Sequence, residues 1–372
     1  MKSKILLVIG GATALIVAVG CSGGSSYNST PTAVLPQLHT VTTIGSTVDA
    51  TNGDNNPYGL TIAPTTAGYV TAGDLIVCNF NNSSGKSGYG TTIEDLAPTA
   101  GAMPKRIAQS ASLQGCAALA ANPTNGYIWA AAYTANDDPI VSPSGTITST
   151  LASSYSWMYP WGGIYAAPKT TTSGGYGSST MTPSPAFYIT DAKNGSVVRA
   201  TITSTGTVFQ TIATGFPVNL TSQYGILAPA GLSYDPTTDT LYLVSSTTNS
   251  VVAFAAASTI PANGITVTAG MNNTLSFSGS AAGQASVVYS GAPLNYPVSS
   301  ALLYNGDLVI GNTGDNNMVE IDPVHKKMLG EKLVDSGSAG AIFGIVTTGT
   351  TVATQKVYFN DDNTNSVVAV SQ

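Results

Sequence analysis

Along the second half of the chain, one pattern of apolar and polar positions recurs: a run of apolar or β-branched residues, a polar turn, then a second short apolar run. It occupies residues 188–198 (YITDAKNGSVV), 242–252 (YLVSSTTNSVV), 309–319 (VIGNTGDNNMV) and 358–368 (YFNDDNTNSVV) without a gap. Each copy predicts two strands joined by a tight hairpin, because Asn-Gly, Asn-Ser or Asn-Asn at the turn supplies the positive φ that such hairpins need. Two weaker copies lie upstream, one around Cys78 and Asn79, the other starting at Trp129 with its turn stretched through Asn136 to Asp138.

Ahead of every copy sits a further short strand that opens on a small residue and ends in a turn. The six openings are Gly59, Ala118, Gly163, Gly231, Ala301 and Gly344. Small residues suit a crowded position near an axis, and a terminal Pro or Gly cannot continue a ladder. The openings recur roughly every 57 residues, far longer than a β-helix repeat, and a pair of sandwiches does not explain six copies. The expected fold is therefore all-β, a six-bladed β-propeller of four-stranded antiparallel blades. Residues 208–213 and 285–289 read as fourth strands, and residues 169–185, rich in Thr, Ser and Gly, as a loop inserted in the third unit. The last unit ends after its third strand, so residues 39–44 are expected to supply the missing strand and close the ring.

Pro57-Tyr58-Gly59-Leu60, Pro229-Ala230-Gly231-Leu232 and the strand-hairpin-Val-Val copies resemble NHL-type propellers over residues 55–372. That resemblance implies architecture more than activity, since such propellers include binding scaffolds, lactonases and lyases. Lactonases of the gluconolactonase type hold a divalent ion through a first-unit Glu with later Asn and Asp. Here no glutamate precedes Glu94.

The N-terminal end predicts export. Lys2 and Lys4 precede an uncharged apolar run, residues 5–19, of signal-peptide length and too short to span a bilayer comfortably. It closes on Ala18-Val19-Gly20-Cys21, which resembles the lipobox of bacterial lipoproteins, with Cys21 as the lipidated residue. Ser22 in the second mature position resembles the pattern sent on to the outer membrane. The expected organisation is a signal peptide over 1–20, a lipidated Cys21 and flexible tether over 21–37, and the propeller over 38–372. The chain is accordingly expected in the bacterial cell envelope, at the outer membrane or cell surface.

Composition narrows the partners. Charged residues make up 8% of the chain, with 12 Lys plus Arg against 18 Asp plus Glu, so the basic patch of a nucleic-acid binder is missing. The surface is left to neutral Ser, Thr, Asn and Gly, which also fits acidic surroundings, where few carboxylates means little charge lost on protonation. With Cys21 assigned to the anchor, Cys78 and Cys116 remain as an even pair for a disulfide between neighbouring units.

Candidate chemistry is sparse. The residue after the second strand of successive units is Asn79, Ala132, Asp191, Ser245, Asn312 and Asp361, so Asn79, Asp191, Asn312 and Asp361 read either as a polar binding rim around the axis or as caps of their own hairpins. Trp157 and Trp161, in the aromatic run 155–161, read as contact residues for a protein or glycan partner or as a channel plug. Asp361-Asp362-Asn363-Thr364-Asn365 resembles the start of a calcium loop but has no downstream bidentate Glu, which makes a turn the better reading and calcium the only cofactor the pattern admits. His39 and His325 sit in a strand and a turn, away from any expected mouth. The sequence therefore favours a non-catalytic, lipid-anchored binding propeller over a metal-dependent propeller hydrolase or lyase.

Overall fold

The computed structural model describes residues 32–169, 183–222 and 225–372, so Cys21, the expected leader and most of the expected tether, and residues 170–182 of the expected third-unit insertion, lie outside it. Residues 32–372 form one compact unit. It is a ring of six blades whose inner strands are Asn55–Ile62, Cys116–Ala121, Pro160–Ala166, Pro229–Asp235, Pro297–Leu302 and Ile342–Thr348. The described helices are short 3-10 turns, and none is long and apolar enough to cross a membrane.

Burial explains the strand sequences. The second strands Leu75–Asn81, Ala186–Asp191, Thr240–Ser245 and Leu308–Asn312 are sandwiched between neighbouring blades and are buried almost throughout. They consequently read as continuous apolar runs rather than as alternating ones. Outer strands such as Lys105–Gln109 and Lys327–Leu333 meet solvent and carry basic residues, among them Lys105, Arg106, Lys327 and Lys332.

The ring closes with the N-terminal strand. Thr40–Ser46 pairs antiparallel with the last strand, Ser366–Ser371, from Thr40↔Ser371 to Ser46↔Ser366, and becomes the outermost strand of the sixth blade. Residues ahead of the boundary expected at 38 also pack on the ring. Val34, Leu35 and Leu38 are fully buried among Leu303, Met318, Phe359 and Val370. Glu320 fixes this segment by accepting the Val34 N–H at 2.8 and 2.9 Å and the Leu35 N–H at 2.7 Å.

Blade 3 departs from four strands. Its fourth strand, Gly206–Thr214, is joined in parallel by Ile265–Ala269, which forms a hairpin with Leu275–Ser278, giving six strands. Both added strands come from an excursion between the third strand, Ser250–Phe254, and the fourth, Ala285–Ser290, of blade 4. Ile260, Ile265 and Val267 bury against Ile212, Phe216 and Phe254, so the excursion clamps two neighbouring blades together.

Candidate functional site

Every inner strand carries a register shift at the same height, between Pro57/Gly59, Cys116/Ala118, Pro160/Gly163, Pro229/Leu232, Pro297/Ser299 and Ile342/Ile345. A bulge re-aims the side chain it carries. Counting along the ladders from this landmark sorts the axis into layers. The bulge layer holds Tyr58, Ala117, Trp161, Ala230, Val298 and Phe343. Below it lies a layer of Gly59, Ala118, Gly162, Gly231, Ser299 and Gly344, small because a Cβ built on Gly59, Gly162, Gly231 or Gly344 would stand 2.2–2.9 Å from neighbouring-blade backbone. The small residue that opens each unit is thus required by ring closure, at Gly162 and Ser299 rather than at the expected Gly163 and Ala301.

The large members of the bulge layer fill the axis on the face where the inner strands begin. The Tyr58 ring stacks on Phe343 (centroids 3.6 Å apart) and on Phe80 (4.1 Å), and Trp161 meets Tyr58 and Phe80 edge-on at 5.8 and 5.9 Å. Tyr133 joins at 5.6 Å from Trp161 and packs on Tyr159 at 4.3 Å. Phe80, Trp161 and Phe343 are buried, while Tyr58, Tyr133 and Tyr159 remain partly exposed. Offset and edge-on geometries of this kind each add about 0.5–1.5 kcal/mol to simple burial. The result is an aromatic floor across the channel mouth, and only Trp161 of its members was singled out by the sequence.

Polar groups border the floor. Asp362 stands near the Tyr58 phenol, and burial, reinforced by the neighbouring Asp361, pushes the Asp362 carboxyl up to about 6. Burial, reinforced by Tyr159, pushes the Tyr133 phenol up to about 12, and Lys193 Nζ stands 5.1 Å above the Tyr159 ring. The floor therefore presents neutral phenols with a carboxylate on one side and an ammonium on the other.

The expected polar rim does not form a surface. Asn79, Asp191, Asn312, Asp361 and Trp157 are each no more than 4% exposed, because these positions hold the chain entering their own blade. Asn79 Nδ2 donates to the Thr47 carbonyl (2.9 Å), Asp191 accepts the Met158 N–H (3.1 Å), and Asn312 accepts the Asn295 N–H (3.1 Å) while donating to the Pro293 carbonyl (2.9 Å). Asp361 accepts the Thr364 N–H within its own turn. Trp157 packs against Tyr155 and Phe209 between blades, its indole N–H donating to the Leu151 carbonyl at 3.3 Å. Trp161 lies at the axis, as the plug.

A recurrence that the sequence hid accompanies these caps. Asn136, Asn249 and Asn365, at the hairpin turns of blades 2, 4 and 6, accept the backbone N–H of Tyr159, Tyr296 and Asn56 at 2.9, 2.7 and 2.7 Å. Asn316 of blade 5 likewise accepts the N–H of Gly340 and Ala341. All four asparagines have φ between 48 and 57°, so one residue type both makes the turn and clasps the entry of the next blade.

The calcium-like loop spends its oxygens internally: Asn365 on Asn56, and Asp361 on Thr364, while Asn363 donates to Asp335 and to the Ser338 carbonyl. No group of three His, Cys, Asp or Glu suited to a metal occurs among the described residues. The donor set that a gluconolactonase-type ion needs does not fit an axis filled by aromatic rings. His39 is exposed on the approach to the closing strand. His325 lies in an outer turn, where its Nδ1 meets Asp322 at 2.5 Å. Cys78 and Cys116 form a disulfide with Cα atoms 5.9 Å apart, linking the second strand of blade 1 to the inner strand of blade 2.

No family model matches the chain, and no curated protein matches it. Solved structures similar in fold include a putative gluconolactonase, 9% identical with a TM-score of 0.50 over 91% of this chain and 96% of the other. A catalytically inactive virginiamycin B lyase from Staphylococcus aureus, solved with quinupristin, is 14% identical with a TM-score of 0.47 over 90% and 99%. A nidogen/laminin complex is 14% identical with a TM-score of 0.47 over 75% and 80%. At these identities the likeness concerns the six-bladed ring.

Proposed function

We propose that this chain is an envelope lipoprotein, held to the membrane through Cys21, whose propeller is a non-catalytic module that binds a neutral glycan at the aromatic floor. The observation that carries this reading is the group of partly exposed Tyr58, Tyr133 and Tyr159 rings seated on buried Phe80, Trp161 and Phe343. Rigid phenolic rings offer large contact area at low entropic cost, and their hydroxyls, with Asp362 and Lys193 beside them, offer hydrogen bonds to sugar hydroxyls. The scarcity of charge across the chain favours an uncharged ligand over an anionic polymer. The lipobox at residues 18–21 supports the anchor, and no observation at the axis favours the alternative of a metal-dependent hydrolase or lyase.

The full chain in detergent, applied to an array of neutral and anionic oligosaccharides, is expected to retain neutral ones. Tyr133→Ala should weaken that retention at least about tenfold, the scale of a removed aromatic anchor. Preference for anionic sugars, or a Tyr133→Ala variant that binds as the parent does, would refute the reading. The anchor is tested separately: Cys21→Ser should move the protein from the membrane fraction to the soluble one.

A further inference from the structure

On the far side of the aromatic floor, the third layer of the axis is incomplete. By the ladder register its six members are Leu60, Leu119, Gly163, Leu232, Ser300 and Ile345. Four are bulky aliphatics, one is a serine and one has no side chain. The glycine is not required by packing. A Cβ built on Gly163 would find nothing nearer than the Ala118 Cβ at 3.9 Å, whereas the four glycines of the layer above would collide with backbone. Gly163 has no positive φ to demand it either. The missing side chains leave space that two neighbouring layers do not fill.

That space continues toward the face where the inner strands end. A cavity of about 60 Å³ beneath the floor leads on to one of about 300 Å³, lined by Leu60, Ile164, Leu232, Ser233, Ser300 and Val346 among others. The larger cavity is far above the roughly 10–15 Å³ that a single water needs, so it has room for several waters or a small molecule. Its lining contains no ionised group. Ser300 donates its hydroxyl to Ser233 at 3.1 Å, and both side chains are buried, which leaves the Ser233 hydroxyl hydrogen available to an occupant.

We propose that this lower half of the channel is a second binding site, distinct from the aromatic floor, for a small uncharged aliphatic molecule bearing a hydroxyl or carbonyl oxygen. The aromatic rings close one end, so the ligand enters from the face where the inner strands finish. Its chain lies along the gap at Gly163 against Leu60, Leu119, Leu232 and Ile345, and its oxygen accepts the hydrogen bond of Ser233. A carboxylate is rejected, since no cation lines the cavity to offset its desolvation.

Calorimetric titration of the full chain with 1-octanol and with octanoate tests this. Octanol is expected to bind, and octanoate at least tenfold more weakly. Gly163→Leu, whose Cβ would meet nothing nearer than the Ala118 Cβ at 3.9 Å, should abolish octanol binding while thermal unfolding shows an intact ring. Ser300→Leu fills the same gap from blade 5 and serves if Gly163→Leu fails to fold. Ser233→Ala should weaken octanol about tenfold. Equal affinity for octanol and octanoate, no octanol binding to the parent protein, or unaltered binding in a folded filled variant would each overturn the proposal. Tyr133→Ala should leave octanol binding unchanged, so failure of this site and failure of the glycan site are told apart.

Discussion

A single residue type, asparagine at the hairpin turn, joins local geometry to assembly. Asn249 has φ of 48° and also accepts the Tyr296 N–H at 2.7 Å across the junction to blade 5. Asn249→Ala removes the hydrogen bond and strains the turn, and should cost about 2 kcal/mol in denaturant unfolding. Asn249→Gly removes only the bond and should cost about half as much; a glycine variant less stable than the alanine one would contradict the clasp. Blade 3 has Gly195 at this position because a side chain there would run into the Phe216 carbonyl, 2.3 Å from the built Cβ. The turn chemistry was legible in residues 242–252 and 358–368. The clasp was not, because its recipients lie on the next blade and carry no residue signature of their own.

Elements that repeat were readable and elements that occur once were not. The closing strand followed from a missing fourth strand after Val370, whereas Ile265–Ala269 and Leu275–Ser278 are short runs with no copy elsewhere and gave no sign that they would extend blade 3 rather than their own blade. The aromatic floor was half legible: Tyr58, Trp161 and Phe343 each precede a small axial residue, but only the ladder register shows that they share one layer. Two fasteners act at this scale. The Cys78–Cys116 disulfide spans 38 residues, so Cys78→Ala with Cys116→Ala should cost about 3 to 4 kcal/mol in chemical denaturation. Glu320 binds the backbone of Val34 and Leu35, so Glu320→Gln should speed amide hydrogen exchange at those two residues at least about tenfold while the ring's unfolding midpoint moves less than in the cysteine variant. Unchanged exchange would show that apolar packing of Leu35 and Leu38 alone holds the segment.

For the molecule as a whole, the few carboxyls are concentrated in the interior, and that sets its response to pH. Burial pushes Glu94 up to about 9, helped by its neighbour Asp49, and Asp138 up to about 8, helped by Asp137. Burial also raises Glu320 to about 7 and Asp95 and Asp191 to about 6, while Asp137, Asp307 and Asp361 are raised as well. Opposing them, Asp49 is held below the usual carboxylate range by Arg106, and Asp322 by His325 and the turn's N–H groups. A carboxyl whose pKa is higher in the folded chain binds more protons there than when unfolded, so stability falls as pH rises from the unfolded value near 4 through the folded one. The raised set therefore makes the protein most stable near pH 4 to 5, with losses spread from pH 5 to 9. Only below about pH 4 do Asp49 and Asp322 reverse the trend, as their carboxylates are protonated. Thermal unfolding followed at pH 5 and pH 8 is expected to give the higher midpoint at pH 5, and Glu94→Gln, which fixes that group in its uncharged form, should narrow the gap by raising the pH 8 value more than the pH 5 value. A midpoint that climbs from pH 5 to pH 8 would mean that these carboxyls are hydrated or paired in the folded chain, and would remove the link between sparse charge and tolerance of acid.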